Sequence, residues 1–280
     1  MENLRNKSML KFAMFFAVLL VLCCNQNNKE MKSENQIEQP KEENIIDLTH
    51  VYSKETVYWV TAKEFELDVV AAGETEQGFY YSANNFSTAE HGGTHIDAPI
   101  HFAKDKQTVD EIPLEHLIGN AVKIDVSDKA LSNPDYLISI DDFKEWETKN
   151  EQIPNGSIVL LYTGHSKYYP DKIAYLGTDQ RGPEAAKLLH FPGLSPDAAK
   201  WLVENRNIHS IGLDTPSIDY GQSTTFESHI ILLSENIPAF ENLTNIDQLP
   251  SKGFKVIALP MKIKEGSGAP LRIIAITNNN

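Results

Sequence analysis

Cysteine is almost absent from this chain, and its two copies stand side by side at positions 23 and 24. The rest of the sequence therefore has no thiol for a disulfide, a nucleophile or a thiolate metal site. Basic residues are also few, because 25 Lys and Arg stand against 39 Asp and Glu, for a formal net charge of −14. Since phosphate backbones need a positive surface, this balance argues against a nucleic-acid-binding protein.

Several motifs of common enzyme classes are also missing. Without a G-x-S-x-G elbow, the chain does not look like a serine hydrolase of the α/β type. Without a G-x-G-x-x-G fingerprint or a P-loop, it does not look like a nucleotide-binding enzyme. The apolar run at residues 12–22 is too short to span a bilayer as a permanent helix.

The first residues have the order of an export signal. Arg5, Lys7 and Lys11 precede the apolar run, which ends in VLCC. This segment is similar to a bacterial lipoprotein signal, with Cys24 as the lipidated residue; the alternative is an ordinary signal peptide with incidental cysteines. We therefore predict a signal peptide over residues 1–24 and an exported, membrane-anchored lipoprotein at the cell surface or in the periplasm.

The remaining chain divides into a tether and one domain. Residues 25–43 are polar and charged and cannot bury enough apolar surface to fold, so they predict a disordered tether. Residues 44–280 predict a single α/β domain with a mixed β-sheet or barrel-like core and flanking helices. Two helices have capped starts, after Ser139 and at Ser195-Pro196. The predicted strands are IIDLTH, AVKIDVS, SIVLLYT, IHSIGLD, FKVIALP and LRIIAIT.

The stretch HGGTHIDAPIHF, residues 91–102, holds three of the nine histidines in the chain. Its glycine pair and proline disfavour a helix. In an extended chain His95, Asp97 and His101 point to one side, and the glycines let His91 turn towards them. Imidazole nitrogens and a carboxylate suit zinc, manganese or iron(II), so the spacing indicates a catalytic metal site. The alternative is a polar loop whose histidines are exposed or hydrogen-bonded in the core.

The same stretch resembles the signature of the cyclase-like metal-dependent hydrolases, which include bacterial kynurenine formamidases and isatin hydrolases. Three further segments are similar to that family: DLTH, GLDTPSID and HIILLSENIPAFENL. In the last of these, His229 and Glu241 have the family's spacing of a histidine and a glutamate. The resemblance covers nearly all of residues 44–277 and implies the family's swivelling β/β/α fold and a homodimer.

Carried over to this sequence, the resemblance implies a role for each candidate residue. His91, His95 and Asp97 would hold a first metal ion, and Asp97 would bridge to a second position. His229 and Glu241 would complete that second position. Glu241 could instead hydrogen-bond to one of the ligands and orient it without binding the metal itself. His101 would be the general acid/base, and Trp59 would line the substrate pocket.

The expected activity is metal-dependent hydrolysis of a small aromatic amide, with Mn²⁺ or Zn²⁺ as the cofactor. A metal that activates water beside a histidine that moves protons fits this chemistry independently of the family. Isatin hydrolysis to isatinate is the first expectation, and deformylation of N-formyl-L-kynurenine is the second. The alternative from another class is a surface lipoprotein that binds a metal or an aromatic ligand and catalyses nothing.

Overall fold

A computed structural model describes residues 43–278 of the chain. The predicted signal peptide, with Cys24, and nearly all of the predicted tether lie outside the described residues. Twelve strands lie within the described range. They are β1 (Glu43–Asp47), β2 (Glu66–Glu74), β3 (Tyr80–Ser87), β4 (His95–Asp97), β5 (Ile118–Asp125), β6 (Leu137–Ile138), β7 (Ser157–Tyr162), β8 (Gly193–Leu194), β9 (Ile208–Leu213), β10 (Ala239–Glu241), β11 (Lys252–Pro260) and β12 (Gly268–Asn278).

The helices flank these strands. They are α1 (Leu114–Leu117), α2 (Ser127–Ser132), α3 (Ile140–Asn150), α4 (Lys172–Leu176), α5 (Pro196–Asn205) and α6 (Glu227–Ser234), with 3₁₀ turns at Pro99–His101, His165–Tyr168, Pro183–Leu188 and Ile246–Gln248. The two predicted helix starts are confirmed, since Ser139 caps α3 and Ser195 caps α5. Within residues 43–278, no helix has the length and apolar content that a membrane crossing requires.

The main sheet closes on itself. Strands β12, β11, β5, β7, β9, β10 and β4 follow in that order, and β4 pairs again with β12. The pairs β5–β7, β7–β9 and β9–β10 are parallel, and the other pairs of the ring are antiparallel. This ring confirms the predicted mixed, barrel-like core, and β1 extends it along the far end of β12.

Alternation along β7 explains why both faces of the ring are buried. Ile158 and Leu160 belong to the apolar cluster inside the ring, whereas Val159 and Leu161 belong to the cluster under the helices. Successive side chains of a strand point to opposite faces, so a continuous apolar run is what a doubly covered strand needs. The helix side of the second cluster is supplied by Phe143 and Trp146 of α3 and Leu202 of α5.

The strands β2 and β3 form a separate two-stranded hairpin that pairs with no other strand of the described chain. Seven of its large apolar side chains are between 50% and 67% exposed. They are Leu67, Val69, Val70, Phe79, Tyr80, Tyr81 and Phe86. The hairpin thus shows an extensive apolar surface to solvent in the single chain.

Candidate metal centre and its cavity

The register of the ring brings three predicted site residues together. His95 and Asp97 are two apart on β4, so their side chains point to the same face. His95 lies directly opposite Glu241 on β10, and residues opposite each other in an antiparallel pair share a face. The result is that His95 Nε2 lies 3.2 Å from Asp97 Oδ1 and 3.5 Å from Glu241 Oε2.

His91 reaches this cluster from the glycine-rich loop before β4. Gly93 has a φ of 55°, a left-handed conformation that glycine adopts without strain. A Cβ at Gly92 would overlap the ring of Tyr58, so the loop also needs a residue without a side chain there. The turn places His91 Nδ1 2.6 Å from Asp97 Oδ1.

His229 comes from α6 and faces the other side of the same carboxylate. Its Nε2 lies 3.0 Å from Asp97 Oδ2 and 3.2 Å from Glu241 Oε1. Asp97 therefore directs Oδ1 towards His91 and His95, and Oδ2 towards His229. Glu241 likewise directs Oε2 towards His95 and Oε1 towards His229. Among the described residues, the ligand atoms of His95, Asp97 and Glu241 lie close enough together to hold one ion, and so do those of His91, Asp97 and His101.

His101 lies beside the cluster but reaches it differently from the expectation. The extended conformation ends at Asp97, and Pro99–His101 forms a 3₁₀ turn because the proline's fixed φ suits the start of a helical turn. The turn stacks His101 on His91, with ring centroids 3.7 Å apart. Burial lowers the pKa of His101 to about 4, so its imidazole is neutral near pH 7 and can accept a proton.

The histidine tautomers indicate that the cluster is built for a cation. His95 Nδ1 lies 2.9 Å from the carbonyl of Gly93, which only accepts, so Nδ1 carries the proton. His229 Nδ1 lies 2.6 Å from the carboxylate of Asp219, which fixes the same tautomer. Nε2 of each ring then faces carboxylate oxygens. Burial alone would lower the pKa of both histidines, but hydrogen bonds to these carboxylates outweigh burial and raise it. Each Nε2 therefore lies where positive charge is favoured, carried either by a second ring proton or by a bound cation. The donor set of imidazoles and carboxylates is that of a divalent transition metal.

The pKa values of the two acids in the cluster are shifted in opposite directions. Burial alone would raise the pKa of Asp97, but hydrogen bonds from His229 and His91 outweigh it and hold the pKa well below its ordinary value. Burial and the neighbouring Asp97 charge raise the pKa of Glu241. Two buried carboxylates therefore share the hydrogen bonds and positive charge of the neighbouring histidines.

A cavity of about 270 Å³ opens above the cluster. All the predicted site residues of the described chain line it, including Trp59. Phe102 and Phe226 add two further aromatic walls, with ring centroids 5.3 Å apart, and Trp59 meets Phe226 edge-on at 6.1 Å. Flat aromatic walls above a polar floor fit a planar aromatic ligand whose reactive group faces the cluster of histidines and acids.

Asp219 and Phe102 were not predicted as site residues. Asp219 lies in the segment GLDTPSID and accepts hydrogen bonds from the backbone of Ser228 and His229 as well as from the His229 ring. Its role depends on how α6 packs against the turn after β9, which no spacing in the sequence reveals. Phe102 follows His101 directly, and only the turn at Pro99–His101 directs it into the cavity.

Comparison with known proteins identifies the family of the chain. The profile of the Cyclase family matches residues 46–220. The chain belongs to the Cyclase family. Isatin hydrolase of Roseibium aggregatum is 33% identical over 207 residues, which are 71% of this chain and 76% of that protein. Kynurenine formamidase of Salinibacter ruber is 28% identical over 232 residues, which are 82% of this chain and 96% of that protein.

The Cyclase fold extends over almost the whole described range. The solved structure of isatin hydrolase A from Labrenzia aggregata, bound to benzyl benzoate, superposes with a TM-score of 0.77 at 33% identity. The superposition covers 85% of this chain and 94% of that one. The family and the fold expected from the resemblance are therefore both confirmed.

Proposed function

We propose that this Cyclase-family enzyme hydrolyses the C–N bond of a cyclic aromatic amide, with isatin opening to isatinate as the reaction. The observation that carries the proposal is a small aromatic-walled cavity whose floor is the cluster of His91, His95, Asp97, His229 and Glu241. The names of two relatives, isatin hydrolase and kynurenine formamidase, both denote hydrolysis of a C–N bond, which supports the reaction class.

The cluster divides its ligands between two metal positions in this proposal. His91, His95 and Asp97 would hold a first divalent ion, and His229 and Glu241 would complete a second position together with Asp97. When bound, such an ion supplies Lewis acidity, which makes water more acidic and polarises a carbonyl. Mn²⁺ and Zn²⁺ both accept this set of nitrogen and oxygen ligands, so availability decides between them.

The remaining residues of the cavity bind substrate and move protons. The Trp59 and Phe226 rings hold the aromatic ring of the substrate by edge and face contacts. His101 takes a proton from the attacking water at its free ring nitrogen and returns it to the leaving nitrogen, as the neutral form permits. Phe102 packs against His229, with ring centroids 4.6 Å apart, and excludes water from that side.

The cavity lining favours isatin over N-formyl-L-kynurenine. Among the described residues that line it, the only acids are Asp97 and Glu241 in the cluster itself, and no lysine or arginine is present. N-formyl-L-kynurenine carries an α-carboxylate and an α-ammonium group, which need charged or strongly polar partners when they are buried. Isatin is neutral and planar and has no such requirement. Kynurenine formamidase activity remains the alternative because of the family relatives.

The test uses the purified chain, stripped of metal with a chelator and reloaded separately with Mn²⁺ or Zn²⁺. Isatin and N-formyl-L-kynurenine are offered separately, and ring opening or deformylation is followed by absorbance. We expect metal-dependent opening of isatin. Preferential deformylation would instead assign a kynurenine formamidase. Activity on neither compound, with metal bound, would favour the non-catalytic binding lipoprotein, which the hydrolase relatives do not support.

We propose in addition that the chain works as a homodimer whose partner covers the β2–β3 hairpin. A two-stranded hairpin is marginally stable in water on its own, and exposed apolar patches of this kind mark interaction surfaces. Val69, at 67% exposed, and Tyr80, at 63% exposed, lie on the two strands of this hairpin. Light scattering coupled to size-exclusion chromatography would measure the mass, and a monomer at micromolar concentration would contradict the proposal.

The N-terminal segment supports a proposal about location. We propose that the chain is exported and anchored to the membrane by a lipid on Cys24, so that it meets compounds from outside the cell. Mass spectrometry of the mature N-terminus would detect the lipid, and Cys24→Ser would release the protein into a soluble fraction. A cytosolic protein with its first residues intact would overturn this location without affecting the hydrolytic chemistry.

A further inference from the structure

Asn242 lines the same cavity and has no role in the chemistry described so far. It follows Glu241 at the end of β10 with a φ of 54°, a left-handed conformation that asparagine tolerates better than most residues. Its backbone is held from two sides. The N–H donates to the carbonyl of Thr215 over 2.9 Å, and the carbonyl accepts from Thr94 Oγ1 over 2.7 Å.

The side-chain amide of Asn242 is also oriented. The buried hydroxyl of Tyr175 donates to Asn242 Oδ1 over 3.0 Å, and the same hydroxyl lies 3.2 Å from the carbonyl of Asp214. The Tyr175 ring is locked against Tyr169 and His165, with centroids 5.3 Å and 5.0 Å away. Tyr175 is completely buried, so it has no freedom to release the amide.

This orientation turns Asn242 Nδ2 into a free donor. Nδ2 donates to no acceptor among the described residues. The atom is also not fully buried, so part of its surface is accessible. In a residue that is only 2% exposed, the cavity is the surface that Nδ2 can reach. The other polar side chains of the cavity include the carboxylates and imidazoles of the cluster. A donor that faces the reaction space needs an acceptor on the ligand.

We infer that Asn242 Nδ2 donates a hydrogen bond to the carbonyl oxygen of the amide under attack. The inference deepens the proposed function and rests on it. Water attacks the carbonyl carbon and forms a C–O bond, while the carbonyl π electrons move to oxygen, where Asn242 stabilises the negative charge. The C–N bond then breaks, the carbonyl reforms, and the nitrogen takes the proton that His101 removed from the water. Tyr175 is the positioning residue that aims the amide.

The test compares Asn242→Gly and Asn242→Asp with the wild-type chain. Glycine accepts the left-handed backbone and deletes the donor, whereas aspartate keeps the shape and the acceptor for Tyr175 but cannot donate. Because loss of one oxyanion donor typically costs about 10²–10³ in kcat, we expect that loss for isatin in both variants. Metal content and the binding of indole, which has no carbonyl, should stay unchanged.

Asn236→Gly is the matched control, because Asn236 has a φ of 56° and does not line the cavity. It should keep the wild-type kcat. Tyr175→Phe should lower kcat about 2- to 10-fold, the effect of one hydrogen bond, with little change in KM. In the Asn242→Gly background it should have no further effect on kcat, which a purely structural role for the hydroxyl would not produce.

Two results would overturn the assignment in distinguishable ways. If the wild type opens isatin and Asn242→Gly and Asn242→Asp both keep kcat within about tenfold of it, the assignment to Asn242 fails alone. If the wild type hydrolyses neither isatin nor N-formyl-L-kynurenine, the proposed function fails and the inference fails with it. If Asn242→Gly loses metal but Asn242→Asp keeps it, the kcat of Asn242→Asp alone decides whether the assignment to Asn242 is correct.

Discussion

The candidate metal centre buries acidic side chains, whereas the β2–β3 hairpin exposes apolar ones. Each is the reverse of the usual distribution in a folded protein. In the cluster, Asp97 is 1% exposed and Glu241 is 3% exposed, although both are acids. In the hairpin, Val69 is 67% exposed and Phe86 is 50% exposed, although both are apolar. Buried charge and exposed apolar surface are each unfavourable for an isolated chain.

In the functions proposed above, each region binds a different partner. A cation bound between these acids and the histidines would stabilise the charges of Asp97 and Glu241. The hairpin is stabilised when a protein surface removes its apolar side chains from water. Substitutions in one region should therefore leave the property that depends on the other region unchanged.

The largest expected effect is in the cavity. His101→Ala should lower kcat by about 10²–10⁴-fold, the usual contribution of a general acid/base, while metal content and dimer mass stay constant. Steady-state kinetics with isatin and metal analysis would measure both. His190→Ala is the control, because that histidine pairs with Asp135 at the surface. A His101→Ala chain with wild-type kcat would remove His101 from the mechanism.

The second prediction concerns Asp219, whose carboxylate holds the ring of the candidate ligand His229. Asp219→Asn should weaken metal binding by about 10–100-fold, because the carboxylate orients His229 and makes it a stronger ligand. Titration of the stripped protein with Mn²⁺ or Zn²⁺ would give the affinity. Asp135→Asn is a matched control, since it removes the carboxylate of an exposed Asp–His pair. Equal affinities for the two variants would contradict the role of Asp219.

The contrast between the two regions also explains what could be predicted from the sequence. The strands of the ring are predictable because β7 and its neighbours are short, continuous apolar runs. The candidate ligands in HGGTHIDAPIHF are recognisable because they lie close together in the chain and their order resembles the family signature. His229 and Glu241 were found only through the resemblance, since 132 residues separate His229 from its contact Asp97.

Other features could not be predicted, for physical reasons. The hairpin has apolar residues on neighbouring positions, such as Val69 and Val70, so it lacks the alternation of a strand with one buried face. The turn at Pro99–His101 replaces the expected extended chain, which a single proline does not reveal. The orientation of Asn242 depends on Tyr175, which is 67 residues away in sequence.

The hairpin itself provides the third prediction. Val69→Lys should weaken the proposed dimer by about tenfold or more, because a charged side chain in an apolar interface loses hydration without a partner. Sedimentation equilibrium would measure the dissociation constant, and kcat per chain should not change. Ile173→Lys is the control, since Ile173 is 61% exposed on α4, outside the hairpin. Similar dissociation constants for the two variants would indicate that the hairpin is not the interface.

The smallest effect comes from a buried carboxylate outside the cluster, Asp142, which is paired with Lys129. Asp142 accepts from Lys129 Nζ over 2.6 Å and caps α3 through Ser139. Burial alone would raise its pKa, but Lys129 and the Ser139 backbone N–H outweigh burial and lower it. Asp142→Asn should therefore cost about 1 kcal/mol of unfolding free energy at pH 7, with no effect on metal content.

The sign of the pH dependence separates Asp142 from the cluster. Because its pKa is lowered in the folded state, the stabilisation by Asp142 is complete above the ordinary value near pH 4 and is lost as pH falls through the lowered value. Denaturant unfolding from pH 7 to pH 3 should show the cost of Asp142→Asn decreasing below about pH 4. Glu145→Gln removes the exposed carboxylate on the same lysine and should cost less at every pH. A cost for Asp142→Asn that stays constant down to pH 3 would mean that packing, and not the charge, holds this carboxylate in place.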